Sequence, residues 1–169
     1  MRRQADGTAG SNPFCSATES LSLAIPRSDR RKAPRDTSTG QVLEAMILPA
    51  LKRGDYGYQT QQKISDRPGG RRHFVDVIAE KDGKRFLVSL KWQQVSGTAE
   101  QKVPFEVISL ADAVTKNGFA KAYLVLGGEG WTLRAFYTEG GLASHLVAAD
   151  KVSILTLEHF VASANQGKL

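Results

Sequence analysis

His73-Phe-Val-Asp76-Val-Ile-Ala-Glu-Lys-Asp82-Gly83-Lys-Arg-Phe-Leu-Val-Ser89-Leu-Lys91-Trp-Gln93 is the stretch that decides the fold. Two runs rich in β-branched and aromatic residues flank Lys81-Asp-Gly-Lys84, and Asp-Gly is the dipeptide that a two-residue type I′ turn favours, because both positions need positive φ. With Asp82 and Gly83 as the turn pair, residues whose numbers sum to 165 face one another, so Asp76 stands opposite Ser89. Side chains alternate along a strand, which makes Lys91 the diagonal neighbour of Asp76 on the same face. Val75 and Val77 are expected on the other face with Val88, Leu90 and Trp92, forming a core.

Upstream, Ser38 or Thr39 can cap a helix carrying Val42, Leu43, Glu44, Met46, Ile47, Ala50 and Leu51 at helical spacing. Pro49 is expected to kink or shorten it, and Gly54 to end it. Tyr58 to Ile64 reads as a strand, with Asp66-Arg-Pro-Gly-Gly70 as the loop leading into the hairpin. Downstream, Thr98-Ala-Glu-Gln101 has the form of a capping box, so a helix starts between Thr98 and Pro104 and buries Val107, Leu110, Ala111 and Val114. Asn117-Gly118 closes that helix. Lys121 to Gly127 is a buried-type strand, Leu133 to Val147 a helical stretch broken at Gly140-Gly141, and Val152 to Leu157 a last strand before a short terminal helix. The order is α-β-β-β-α-β followed by α-β-α, an α/β pattern. Residues 1–38, rich in Ser, Thr, Gly, Pro and Arg, read as a disordered basic tail, which leaves 39–169 as one domain.

The 169 residues carry a net charge of +6, which favours a polyanionic partner. The single cysteine, Cys15, cannot form an internal disulfide, and no Cys/His cluster has zinc spacing. No apolar run reaches the length of a membrane span or of a signal peptide, so a cytoplasmic protein is expected.

Metal-assisted phosphodiester hydrolysis needs carboxylates to hold divalent cations and a cation beside the attacking water. Asp76, placed mid-strand between valines with Lys91 beside it, offers that combination, and a plain cross-strand Asp/Lys pair offers an alternative. Val-Asp76, twelve intervening residues and then Ser89-Leu-Lys91 resemble the second and third motifs of the PD-(D/E)XK nuclease superfamily. The element order is similar to its αβββαβ core, a central mixed sheet flanked by helices as in restriction endonucleases. Ser89-Leu-Lys-Trp-Gln-Gln-Val-Ser-Gly-Thr-Ala-Glu-Gln-Lys-Val-Pro-Phe-Glu106 also resembles small phage and bacterial proteins assigned there. Two positions depart from the family pattern. Val75 replaces the proline before Asp76, and Ser89 stands where an Asp or Glu is usual. Some restriction enzymes with a similar Ser-x-Lys pattern supply the missing acid from the following helix, which nominates Glu106 first and Glu100 second.

The resemblance implies Mg²⁺, with Mn²⁺ as a substitute, held by Asp76, the Leu90 carbonyl and one of Glu106 or Glu100, with Glu44 acting directly or through water. Lys91 would then orient or help deprotonate the attacking water, and Gln93 would touch the substrate phosphate or a metal-bound water. The bland alternatives are that Glu44 is a solvent-facing helix former, that Glu100 and Glu106 favour a helix dipole, and that Gln93 is an ordinary strand residue. Arg67, Arg71 and Arg72 flank the loop into the Asp76 strand and are candidate phosphate contacts. His73 is expected at the surface, Trp92 and Trp131 in the core, and Gly127-Gly-Glu-Gly130 as a plain connection. The expected function is a DNA endonuclease, RNA not being excluded, that dimerises to cut both strands. The competing functions are a catalytically silent nucleic-acid-binding module of the same fold and an interaction protein for an acidic partner.

Overall fold

The computed structural model describes Ser38–Leu169. The expectations for the basic tail fall on residues 1–37, outside the described residues, as do the side chains of Ser38, Thr39 and Glu44. The described chain opens with α1 (Ser38–Val42), a π-helical turn (Leu43–Ile47) and α2 (Leu48–Arg53) in unbroken succession. Pro49 was expected to interrupt this helix, and it does not. It occupies the first turn of α2, directly after the wide π turn, where a missing backbone N–H is tolerated.

Three antiparallel strands follow, β1 (Gly57–Asp66), β2 (Arg72–Lys81) and β3 (Lys84–Trp92). The β2–β3 turn is the predicted one, with φ of 52° at Asp82 and 72° at Gly83. Val77 pairs with Val88, Ala79 with Phe86 and Lys81 with Lys84, the register expected from the turn. Then α3 (Ala99–Asn117) crosses over to β4 (Lys121–Gly127), which runs parallel to β3. α4 (Arg134–Thr138) is one short turn where a longer helical stretch was expected, because Gly140, at φ 83°, leaves helical geometry. β5 (Val152–Thr156) pairs parallel to β4, and α5 (Leu157–Asn165) follows it, with the Thr156 hydroxyl accepting from the His159 N–H as its cap. The sheet order is β1-β2-β3-β4-β5.

Each face of this mixed sheet has its own core. On one, Leu87, Leu124 and Leu126 pack against Val103, Val107 and Leu110 of α3. On the other, Val77, Val88, Leu90, Tyr123 and Val125 meet Ile47 and Leu51 of the N-terminal helix and Phe160 of α5. Val75 departs from expectation, since it belongs to the α3 core while Val77 belongs to the opposite one. Period-two alternation therefore fails at Asp76, between them. The cause lies in the neighbouring strand. Thr60 pairs with Val77 and Gln62 with Val75, while Gln61 between them takes φ 52°. Such a residue does not continue a pleat, so both strands change face there.

Pro104 lies inside α3 and cannot donate to the Glu100 carbonyl one turn earlier. The Tyr137 hydroxyl donates to that carbonyl instead, at 3.0 Å. No helix among the described residues is long and apolar enough to cross a membrane.

Candidate active site

β2 enters, β3 leaves and α3 begins at one end of the sheet, so the topology gathers the start of β2, the end of β3 and the first turns of α3. There the ladder between β2 and β3 opens. Beyond Val77 and Val88 the two strands no longer pair, and Asp76 does not take up the plain cross-strand position opposite Ser89. Its carboxylate accepts the Leu90 backbone N–H at 2.7 Å, and its other oxygen lies 3.4 Å from the Gln61 side-chain amide. Asp76 is half-buried. Among the described residues no ion pair joins it to Lys91, contrary to the diagonal pairing expected from a regular register.

Lys91 turns toward α3. Its Nζ lies 3.1 Å from Ser89 Oγ and 3.5 Å from Glu106 Oε1. Ser89 is buried and donates its hydroxyl to Glu106 Oε1 at 3.0 Å. Arg67, reaching in from the β1–β2 loop, donates to Glu106 Oε2 at 2.9 Å. Glu106 is only 3% exposed. Burial works to raise its pKa, and His73, Lys91, Arg67 and Ser89 outweigh that, holding the carboxyl at about 2. Of these partners His73 stands 3.8 Å away, too far for a hydrogen bond, so the two cations and the Ser89 hydroxyl carry the effect.

His73 was expected at the surface and is fully buried, with neither ring nitrogen hydrogen-bonded among the described residues. The face change at Asp76 accounts for this, because it puts His73 and Val75 on the α3 side of the sheet. The sequence held a signal for it, since His73 shares the parity of Val75. A signal for Glu106 existed as well. It falls on the apolar stripe of α3, between Val103 and Val107, where an acid is out of place unless it has partners.

The other nominated residues lie outside this cluster. Glu100 accepts the Leu133 N–H at 3.0 Å and the Thr132 hydroxyl at 2.7 Å, and it also accepts the Thr132 N–H. These bonds lower its pKa, the Leu133 N–H first and the Thr132 hydroxyl next. Its carboxylate thus braces the loop before α4. Gln93 is buried, donating to the Gly130 carbonyl at 2.6 Å and accepting the Ala99 N–H at 3.0 Å. It ties the end of β3 to the Gly127–Gly130 connection and caps α3, a task the Thr98 side chain does not perform. Gly128 belongs to the same knot. Its φ is 87°, and a Cβ there would stand 2.4 Å from the Gln93 carbonyl oxygen. Arg71, on the loop that carries Arg67, and Arg72, the first residue of β2, are exposed. Glu44 belongs to the π-helical turn. Trp131 is buried, its indole N–H donating to the Gly127 carbonyl at 2.8 Å, and Trp92 packs against the core on the α5 side.

A five-stranded mixed sheet in αβββαβ order, with helices on both faces and an acid where the second and third strands part, defines a restriction-endonuclease-like domain. Residues 35–168 match the PD-(D/E)XK nuclease superfamily domain, and the chain belongs to that superfamily. Among curated proteins none matches it. Two solved structures are similar to it in part. One is a protein of unknown function, AF1548, at 13% identity and a TM-score of 0.44 over 67% of this chain and 55% of that one. The other is SfsA of Pyrococcus furiosus, solved with Ca²⁺, at 14% identity and a TM-score of 0.37 over 69% of this chain and 52% of that one. The chain spans about half the length of each.

Proposed function

We propose that the protein is a divalent-metal-dependent nuclease that hydrolyses DNA phosphodiester bonds as an endonuclease, with Asp76, Glu106 and Lys91 as its working residues. The observation that carries this reading is the Ser89–Glu106 hydrogen bond of 3.0 Å. Serine at the strand position where the superfamily usually has an acid is a poor metal ligand, but here its hydroxyl anchors a carboxylate delivered from α3 beside Lys91. The acid is relocated, and the serine holds it in place.

The donor set fits a hard cation. Asp76 and Glu106 supply carboxylate oxygens, and Mg²⁺ is commonly bound through one or two carboxylates while it keeps several waters. Among the described residues no three His, Cys, Asp or Glu side chains are grouped to hold a metal ion, so the proposed site would need waters to complete the shell around Asp76 and Glu106. When bound, Mg²⁺, or Mn²⁺ in its place, polarises the scissile phosphate and lowers the pKa of water. Asp76 is fixed for its role by the Leu90 N–H, and Glu106 by Ser89. Lys91, its side chain 27% exposed, holds a positive charge where the site meets solvent, and there it offsets negative charge developing on the phosphate in the transition state. Arg71 and Arg72 bind the nucleic-acid backbone beside the site. A double-strand cut needs two such sites, which makes a homodimer the expected working form.

Purified protein with Mg²⁺ is expected to cleave plasmid or branched DNA, and Asp76→Ala and Lys91→Ala to abolish cleavage. Cleavage unchanged in both variants would remove the site assignment. The competing reading, a silent nucleic-acid-binding module, draws on the two cations that already engage Glu106. Salt-dependent DNA binding with no metal-dependent cutting of any substrate would establish it.

A further inference from the structure

Glu106 has two oxygens in different situations. Oε1 is shared by Ser89 at 3.0 Å and Lys91 at 3.5 Å, both on β3. Oε2 has a single polar partner among the described residues, Arg67 at 2.9 Å. Glu106 is almost sealed from solvent, whereas the Arg67 side chain is 23% exposed. The Arg67 side chain can thus be reached from solvent while the carboxylate it covers cannot. Arg67 also sits on a basic loop with Arg71, leading into Arg72 at the start of β2, and its backbone is tied down by bonds from Arg67 N–H to the Arg71 carbonyl and from Gly70 N–H to the Arg67 carbonyl. Only the long side chain needs to move.

We infer that Arg67 is a substrate-displaced guard: in the free protein it occupies the Glu106 oxygen that a divalent cation would take, and a nucleic-acid phosphate draws it away and so opens the metal site. This rests on the reading of Glu106 as a metal ligand. A guanidinium in bidentate geometry suits a phosphate at least as well as a lone carboxylate oxygen, so exchange between the two anions has a chemical basis. Ser89 keeps Glu106 oriented after Arg67 leaves, and Lys91 keeps the buried charge compensated, so release does not strand an unpaired carboxylate. The consequence is order: nucleic acid first, metal second. By reciprocity, whatever phosphate binding adds to metal affinity, metal binding adds to phosphate affinity.

The test is Mn²⁺ binding to the full-length protein without nucleic acid, followed by the free Mn²⁺ electron paramagnetic resonance signal. Wild type is compared with Arg67→Met, Arg67→Gln, Lys63→Met and Glu106→Gln, and each variant's melting curve reports folding. Both Arg67 variants should bind Mn²⁺ about tenfold more tightly than wild type, equivalent to about 1.4 kcal/mol. Lys63→Met loses the same charge beside the same loop, where Lys63 pairs with Asp66 and not with Glu106, and should bind as wild type does. Tightening in Lys63→Met equal to that in the Arg67 variants would overturn the guard in favour of a general charge effect. Unchanged or weaker binding in both Arg67 variants, with binding lost in Glu106→Gln, would overturn the guard and leave the proposed metal site standing. Wild-type affinity in Glu106→Gln would overturn the metal site itself.

Discussion

The two ends of the β2–β3 hairpin obey different rules. At the turn end, Asp82 and Gly83 take the positive φ values a type I′ turn requires, and every pair from Lys81–Lys84 to Val77–Val88 keeps register. At the open end the pairing stops, Gln61 of β1 takes a left-handed conformation, and the faces exchange at Asp76. The turn end is organised by residues adjacent in sequence. The open end is organised by Glu106 from α3, Arg67 from the loop and Gly130 from beyond β4. The contrast teaches that a strand held by its neighbours keeps its pleat, while one held by distant partners can be bent to aim a carboxylate.

The largest effect expected to separate the two ends is catalytic. Asp76→Ala and Glu106→Gln should each lower Mg²⁺-dependent DNA cleavage on the order of 10³-fold, while Lys84→Ala at the turn should leave the rate within about twofold. Initial rates on supercoiled plasmid read this directly. Next comes pH. The folded pKa of Glu106, about 2, lies below its ordinary 4.5, so the unfolded chain binds the proton more readily. The stability this group contributes is complete above about pH 4.5, and it is lost as pH falls toward 2. Urea unfolding at pH 6, 4 and 3 should show a wild-type loss of stability between pH 6 and 3 on the order of 2 kcal/mol larger than that of Glu106→Gln.

Smaller effects sharpen the comparison through the backbone. Gly128→Ala, at the open end, forces a Cβ into the Gln93 carbonyl at positive φ and should cost about 3 kcal/mol in chemical denaturation. Gly83→Ala, at the turn, meets only the positive φ and should cost about 1 kcal/mol. Gln93→Ala removes the α3 cap and the tie to Gly130, for roughly 1 to 2 kcal/mol. A Gly83→Ala cost equal to that of Gly128→Ala would erase the distinction between the ends.

The same division explains what the sequence disclosed. The hairpin register, the β4 boundaries and the αβββαβ order follow from turn chemistry and periodicity, which are local. Asp76 was correctly placed in a strand but wrongly paired, because the left-handed Gln61 responsible for the face change carries no glycine or asparagine signature. Lys91 was assigned to Asp76 for the same reason. Glu106 came from resemblance to enzymes with a Ser-x-Lys pattern, although its position on the apolar stripe of α3 was already a physical anomaly. Glu100, one and a half turns earlier, shows how little sequence distance decides, since its carboxylate is spent on Thr132 and Leu133.

The account turns on whether Asp76 and Glu106 serve one cation. Anomalous scattering from a crystal of the protein with Mn²⁺ and a DNA duplex answers this most directly. The predicted result is a manganese peak within coordination distance of both carboxylates, with the Arg67 guanidinium moved off Glu106 Oε2. A peak bound by Asp76 with Glu100 or Glu44 in place of Glu106, or no peak at Asp76 in a protein that cuts DNA, would contradict it.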